Sequence, residues 1–212
     1  MYEFRNVLLA GALLLASLAA LADSYEDVLH AVNNDDERTV IELLKRGLDV
    51  NTVGPGGDSL LMLAAKHGRP QMVKVVLDAK PRVNLRNAYG ETALMMAVIQ
   101  GHTEIVRQLL AQGAEINHSG WTPLIYAAAQ NRMDIARILI SHGAQVNAQA
   151  ENGTTALMMA AREGQLSMVL LLMEHGADPN LRNGDGQTAL ALARVRERRD
   201  VIEILARAGA TE

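Results

Sequence analysis

The chain has no cysteine, and its 212 residues include only one Phe, one Trp and four Tyr. Without thiols there is no disulfide, no thiol nucleophile, no cysteine-held metal and no lipoprotein-type lipid anchor. With so few rings, small aliphatic side chains must fill the core. Some 49% of residues are apolar, which suits thin, closely packed helices. An excess of charge of one sign is also missing. The net charge is −4, and no run of five or six like charges occurs. A nucleic-acid binder needs a basic stripe that releases counterions, so nucleic acid is excluded as a partner class.

Long apolar runs are scarce too. The longest, Val7 to Ala19, is broken by Gly11 and Ser17. It is shorter than the roughly 20 apolar residues that span a bilayer. Arg5 precedes it, and Ala20-Leu21-Ala22 follows it as a small-x-small cleavage pattern before Asp23. This predicts a signal peptide over residues 1–22. The mature chain then starts near Asp23 in an extracytoplasmic space, with no stable membrane anchor. Glu3 leaves the leader only slightly basic. The alternative is an uncleaved leader that holds the protein at the inner membrane.

What the chain does have is a phrase repeated five times: Gly, a hydroxyl residue two positions on, and Leu two further. The copies begin at Gly57, Gly90, Gly120, Gly153 and Gly186, with steps of 33, 30, 33 and 33 residues. The hydroxyl residues are Ser59, Thr92, Thr122, Thr155 and Thr188. A fixed period near 33 means stacked units, not one closed core.

Asn87 to Asn117 serves as the type unit. Asn87-Ala88-Tyr89-Gly90 reads as a tight turn. Thr92 is a helix N-cap, and Pro123 after Thr122 occupies proline's favoured first-turn place. A short helix through Leu94, Ala97 and Val98 stops at Gly101. A second opens near Thr103, carries Ile105, Val106, Leu109 and Leu110 at helical spacing, and ends at Gly113. Asn recurs beyond that cap as Asn51, Asn84, Asn117, Asn147 and Asn180. Ala64, Ala97, Ala127, Ala160 and Ala193 share one slot where small side chains let helices approach.

Thr122-Pro123-Leu124-Ile125-Tyr126-Ala127-Ala128, Gly101-His102-Thr103-Glu104-Ile105-Val106 and the Gly-Ala-x-x-Asn runs from Gly113 and Gly143 resemble the core signature of ankyrin repeats. The resemblance runs from about Tyr25 to the C-terminus. It implies an all-α repeat fold: a curved solenoid of helix–turn–helix units, with β-turn fingers at the edge of a concave face. The repeat domain is expected over 23–212. Its units fall near 23–53, 54–86, 87–116, 117–149, 150–182 and 183–212, five to six repeats with degenerate end caps.

Departures from the family pattern carry expectations of their own. The slot after Thr-Pro-Leu, often His in that family, holds Met62, Met95, Ile125, Met158 and Ala191. Apolar packing should replace the hydrogen bond of that His. Lys80-Pro81 replaces Gly-Ala, so that helix cap should be distorted. The last unit has Arg196-Glu197-Arg198-Arg199 around its mid-repeat position, as a polar end cap would. The 30-residue step places a deletion in one finger, because Asn117 to Gly120 is three residues where Asn84 to Gly90 is six. His118-Ser119-Gly120 should be a clipped finger: either a tolerated loop change or a notch in the binding surface.

No nucleophile–base pair, phosphate-cradling loop or paired-carboxylate spacing is present, so no catalytic, cofactor or metal residues are assigned. His142 and His175 occupy one slot in successive units, roughly 10 Å apart. Shared ligation needs His–metal bonds of about 2 Å. The family resemblance places partner contacts on finger tips and the exposed side of the first helices. Those slots here are Asp58, Lys66, His67, Tyr89, Glu91, Ile99, Gln100, His118, Trp121, Gln130, Glu151, Asn152, Thr154, Arg162 and Glu163. Trp121 beside the clipped finger is either the binding hot spot or a packing residue. The expected function is a monomeric, non-enzymatic scaffold in a bacterial periplasm that binds a partner protein through its concave face and finger loops, stabilising or assisting an enzyme. The alternative is an immunity-type inhibitor of a toxic effector.

Overall fold

The computed structural model describes residues 26–211. The leader expected over 1–22 lies outside them. Twelve helices are present among the described residues. They are α1 (residues 26–33), α2 (Glu37–Lys45), α3 (Leu60–Lys66), α4 (Pro70–Asp78), α5 (Ala93–Gln100) and α6 (Thr103–Ala111). There follow α7 (Pro123–Ala129), α8 (Met133–Ser141), α9 (Ala156–Glu163), α10 (Leu166–Glu174), α11 (Ala189–Val195) and α12 (Arg199–Arg207). From α3 onward each odd helix packs against the even helix after it. The result is the all-α stacked array that the period implies, with a single continuous apolar core.

The phrase that marks each unit is a helix start. Ser59, Thr92, Thr122, Thr155 and Thr188 are N-caps whose hydroxyls accept the N–H three residues on, at 3.2–3.3 Å. The methionine slot differs from expectation. The thioether sulfurs of Met62, Met95 and Met158 accept the N-cap N–H of Ser59, Thr92 and Thr155 at 3.3–3.4 Å. Met therefore does more than pack; its sulfur closes a weak capping box.

The Lys80 cap is also less disturbed than expected. Lys80 takes the left-handed conformation itself (φ 57°), and its N–H reaches the Leu77 carbonyl at 2.9 Å. Intact caps add a second bond, as from Ala114 N–H to Leu109 O at 3.0 Å. Pro81 has no N–H to make it. The cap keeps its shape and loses one hydrogen bond.

Neighbouring odd helices pack more extensively than neighbouring even helices do. The array must therefore curve, with the odd helices on its concave side. The α5–α7 contact is the least extensive of the odd-helix contacts from α3 onward. That seam is the one with the shortened connection.

The recurring Asn holds units together. The side-chain oxygens of Asn51, Asn84, Asn117, Asn147 and Asn180 accept the N–H of Arg82, Glu115, Gln145, Asp178 and Thr211, each at 2.7–2.8 Å. The amide groups of Asn84, Asn117 and Asn147 also donate to the carbonyls of Gly113, Gly143 and Gly176. One amide thus reads both polar groups of the next unit's loop. A second ladder joins the other ends of the odd helices. His102 meets the Lys66 carbonyl at 3.3 Å, Arg132 donates to Ile99 O at 2.9 Å, and Arg198 donates to Arg162 O at 3.2 Å.

Candidate protein-binding surface

Four fingers share one closure. Gly54, Asn87, Ala150 and Asn183 each accept at the carbonyl from the glycine three residues on, at 2.8–2.9 Å. Each donates its own N–H to the carbonyl of the residue four on, at 2.9–3.0 Å. The glycine must adopt positive φ, 74–79° here. Adjacent fingers then stack. Asn87 donates its side-chain amide to Asp58 at 2.8 Å, and Ala88 N–H reaches Gly56 O at 3.3 Å. Farther along, Gly184 N–H reaches Asn152 O at 2.8 Å. The backbones come so close that a Cβ on Gly153 would sit 2.9 Å from Asn183 Cα.

The middle finger breaks this stack. Among the described residues, His118-Ser119-Gly120 shows neither closing hydrogen bond. Instead the His118 ring turns onto Ser119 O at 2.9 Å through Nδ1. Its Nε2 is buried without a partner. The fingers on either side stay full length, so a cleft of about 200 Å³ opens between them.

The cleft is built from three units. Arg86, Tyr89 and Glu91 come from the finger before it, and Glu151 from the finger after it. Trp121 and Tyr126 form its base, with ring centroids 5.4 Å apart and planes tilted by 39°. A tilted aromatic pair at this distance is attractive beyond simple burial. Both rings are half-buried and rest on the core. Burial pushes the Tyr126 phenol above its ordinary pKa, and the negative charge of Glu91 pushes it the same way. The Glu91 carboxylate also accepts from Asn87 at 3.2 Å.

The fifteen sequence candidates divide by location. Tyr89, Glu91, His118, Trp121 and Glu151 meet at this cleft. Tyr89 is 83% exposed at its finger tip. Asp58 is half-buried under Asn87, and Asn152 is exposed but uses its side-chain oxygen to hold Thr154 N–H. Lys66, His67, Gln100 and Gln130 are exposed at the ends of odd helices, beside half-buried Ile99. Arg162 and Glu163 pair at 2.9 Å near the end of α9. Thr154 is the most buried of the fifteen, with only 8% of it exposed. Arg86 and Tyr126 also line the cleft and are not among the fifteen. Tyr126 had a legible signal. Its slot holds Leu63, Met96, Met159 and Leu192 in the other units, and the aromatic replaces them in the unit with the clipped finger.

His142 and His175 are engaged locally. Nδ1 of His142 and His175 lies 2.8 Å from the carbonyls of Ile138 and Leu171 in their own helices. Among the described residues, no three His, Asp or Glu side chains gather as a metal-binding set. No described helix is long and apolar enough to cross a membrane.

A family model described as ankyrin repeats in three copies matches residues 28–119, 61–150, 115–183 and 146–211. The chain is similar to the nuclear factor NF-kappa-B p105 subunit of Rattus norvegicus, 35% identical over 45% of this chain and 10% of that protein. It is similar to the glycerophosphocholine phosphodiesterase gde1 of Schizosaccharomyces pombe, 34% identical over 45% of this chain and 9% of that protein. A putative ankyrin repeat protein of Rickettsia felis is 33% identical over 43% of this chain and 23% of its own length. The chain thus spans less than a quarter of each of these relatives.

Proposed function

This chain belongs to the ankyrin-repeat family, whose repeats form a protein–protein interaction domain, and we propose that here they make an exported, monomeric, non-enzymatic scaffold. The partner is a protein gripped by the fingers and the concave row of odd helices. The observation that carries this reading is the break in the finger stack. Four fingers close and lean on neighbours, and the fifth is cut back to leave half-buried aromatic rings open to solvent. Partly exposed Trp and Tyr at such a site suit an interface anchor.

The leader motif and the cleavage pattern before Asp23 support action outside the cytoplasm, in a bacterial periplasm. There the scaffold stabilises or assists its partner, an enzyme.

The test is affinity capture with the mature chain from its own compartment, compared with Trp121→Phe and Tyr126→Leu. Both substitutions keep an apolar side chain at the cleft base. A partner should be retained by the natural chain and lost, by at least about tenfold in affinity, from one or both variants. Unchanged retention would remove the cleft from the interface. The captured protein's own activity then separates an assistant from an inhibitor, and N-terminal sequencing of the exported form should give a start near Asp23.

A further inference from the structure

The cleft has a composition that selects one kind of occupant. Its base is a Trp–Tyr pair, its rim includes Tyr89, and carboxylates stand on both walls, Glu91 before it and Glu151 after it. The aromatic faces are electron-rich, and they lie where carboxylates can reach the same guest. Such a place is unfavourable for an anion and only modestly favourable for an aliphatic side chain. A cation gains twice, from the ring faces and from the carboxylates. The walls carry two negative charges against the single positive charge of Arg86.

We propose that the notch left by the clipped finger is a receptacle for an arginine side chain of the partner protein. Arginine is preferred to lysine on shape. Its guanidinium is a plane that can lie against the Trp121 ring while its N–H fork faces carboxylates to the sides. A compact ammonium is more strongly hydrated and can use only one of these contacts fully. The cleft, at about 200 Å³, has room for a guanidinium group and the end of its stem. The clipped finger explains the site's position: a full-length finger there would stack on its neighbours and fill the space. Arg86 is the local competitor, the one cation already on the wall.

This assignment rests on the protein-binding reading, and its test is arranged to fail separately from it. Trp121 is the sole tryptophan, so its emission and its indole N–H resonance report on this cleft alone. The full chain is titrated with N-acetyl-arginine methylamide, its uncharged citrulline isostere and the lysine analogue. The arginine probe should give a saturable change with a dissociation constant of about 1–10 mM, as suits so small a ligand. The citrulline probe should bind at least about tenfold more weakly. The double variant Glu91→Gln, Glu151→Gln should lose the arginine preference with its helical circular dichroism intact. Arg86→Ala should tighten arginine binding. Equal responses to arginine and citrulline, an equal response to lysine, or an arginine preference that survives loss of both carboxylates would each overturn the proposal. If a captured partner is retained equally by the double variant, the receptacle falls and the scaffold stands. If the arginine probe binds and no protein is ever captured, the cleft's preference for arginine stands and the protein scaffold falls.

Discussion

At the scale of single residues, position in the repeat and chemistry at that position turn out to be separate kinds of information. The Asn slot was legible from spacing alone, yet its task was not. Nothing local says that Asn117 oxygen will accept from Gln145 while its amide donates to Gly143. Those bonds span 28 and 26 residues and exist only once units stack. The second ladder was less legible still, because His102, Arg132 and Arg198 are different residues doing one job. Tyr126 is the residue where structure adds most. Its folded pKa is raised above 10.0, chiefly by burial and secondly by Glu91. A raised folded pKa means a stability contribution fully present below the unfolded value and lost as pH rises through the folded one. Glu91→Gln should move the Tyr126 titration down while leaving it above 10, since burial remains. The Tyr126 Cζ chemical shift followed through alkaline pH reads this directly; an unmoved titration would show that the Glu91 charge does not reach the cleft base.

At the scale of elements, each odd helix from α3 onward was legible because its start and stop are chemical. A hydroxyl opens every odd helix from α3 onward, and a left-handed residue ends it or follows within one or two positions. Where glycine is absent from such a slot, the geometry persists under strain. Asn131 (φ 54°) and Glu197 (φ 55°) stand where other units have Gly68, Gly101 and Gly164, and Lys80 (φ 57°) stands where others have glycine after an even helix. The expectation of a distorted cap at Lys80 failed because neighbouring units hold the backbone in register. The cost appears as strain instead of as altered shape. A non-glycine residue in the left-handed region costs about 1–2 kcal/mol, and glycine gives part of that back through unfolded-chain entropy. Lys80→Gly should therefore raise unfolding stability by about 0.5–1 kcal/mol, read from the urea midpoint at constant slope. Lys80 does not line the cleft, so response to the arginine probe should not change. The same physics explains the methionine slot: an N-cap N–H needs an acceptor, and the nearest side chain able to supply one at Met62, Met95 and Met158 is a thioether.

At the scale of the whole molecule, two neighbouring stretches of each inter-unit loop divide the work. The base of the loop carries the Asn ladder, and that ladder runs unbroken through the shortened unit, from Asn84 to Glu115 and from Asn117 to Gln145. The finger follows a few residues on, and there the stack is interrupted. A deletion of three residues thus spares the contacts that hold units in series and removes only what would have covered Trp121 and Tyr126. The sequence could show the length difference, but not whether neighbouring fingers would collapse into the gap. They stay apart because each is tied to a partner on its far side, Asn87 to Asp58 and Asn152 to Gly184. Restoring the finger tests whether the gap is a site or an accident. Inserting Asn-Gly-Asp between Ser119 and Gly120 returns the six-residue spacing and supplies turn-forming residues. The longer finger should close its own turn, bridge its neighbours and leave the melting temperature equal or higher. If the notch receives an arginine, the same insertion should abolish the Trp121 response to N-acetyl-arginine methylamide and weaken partner capture by at least about tenfold. An inserted chain that folds, stacks its finger and still binds as before would show that the exposed rings are an incidental gap in the array.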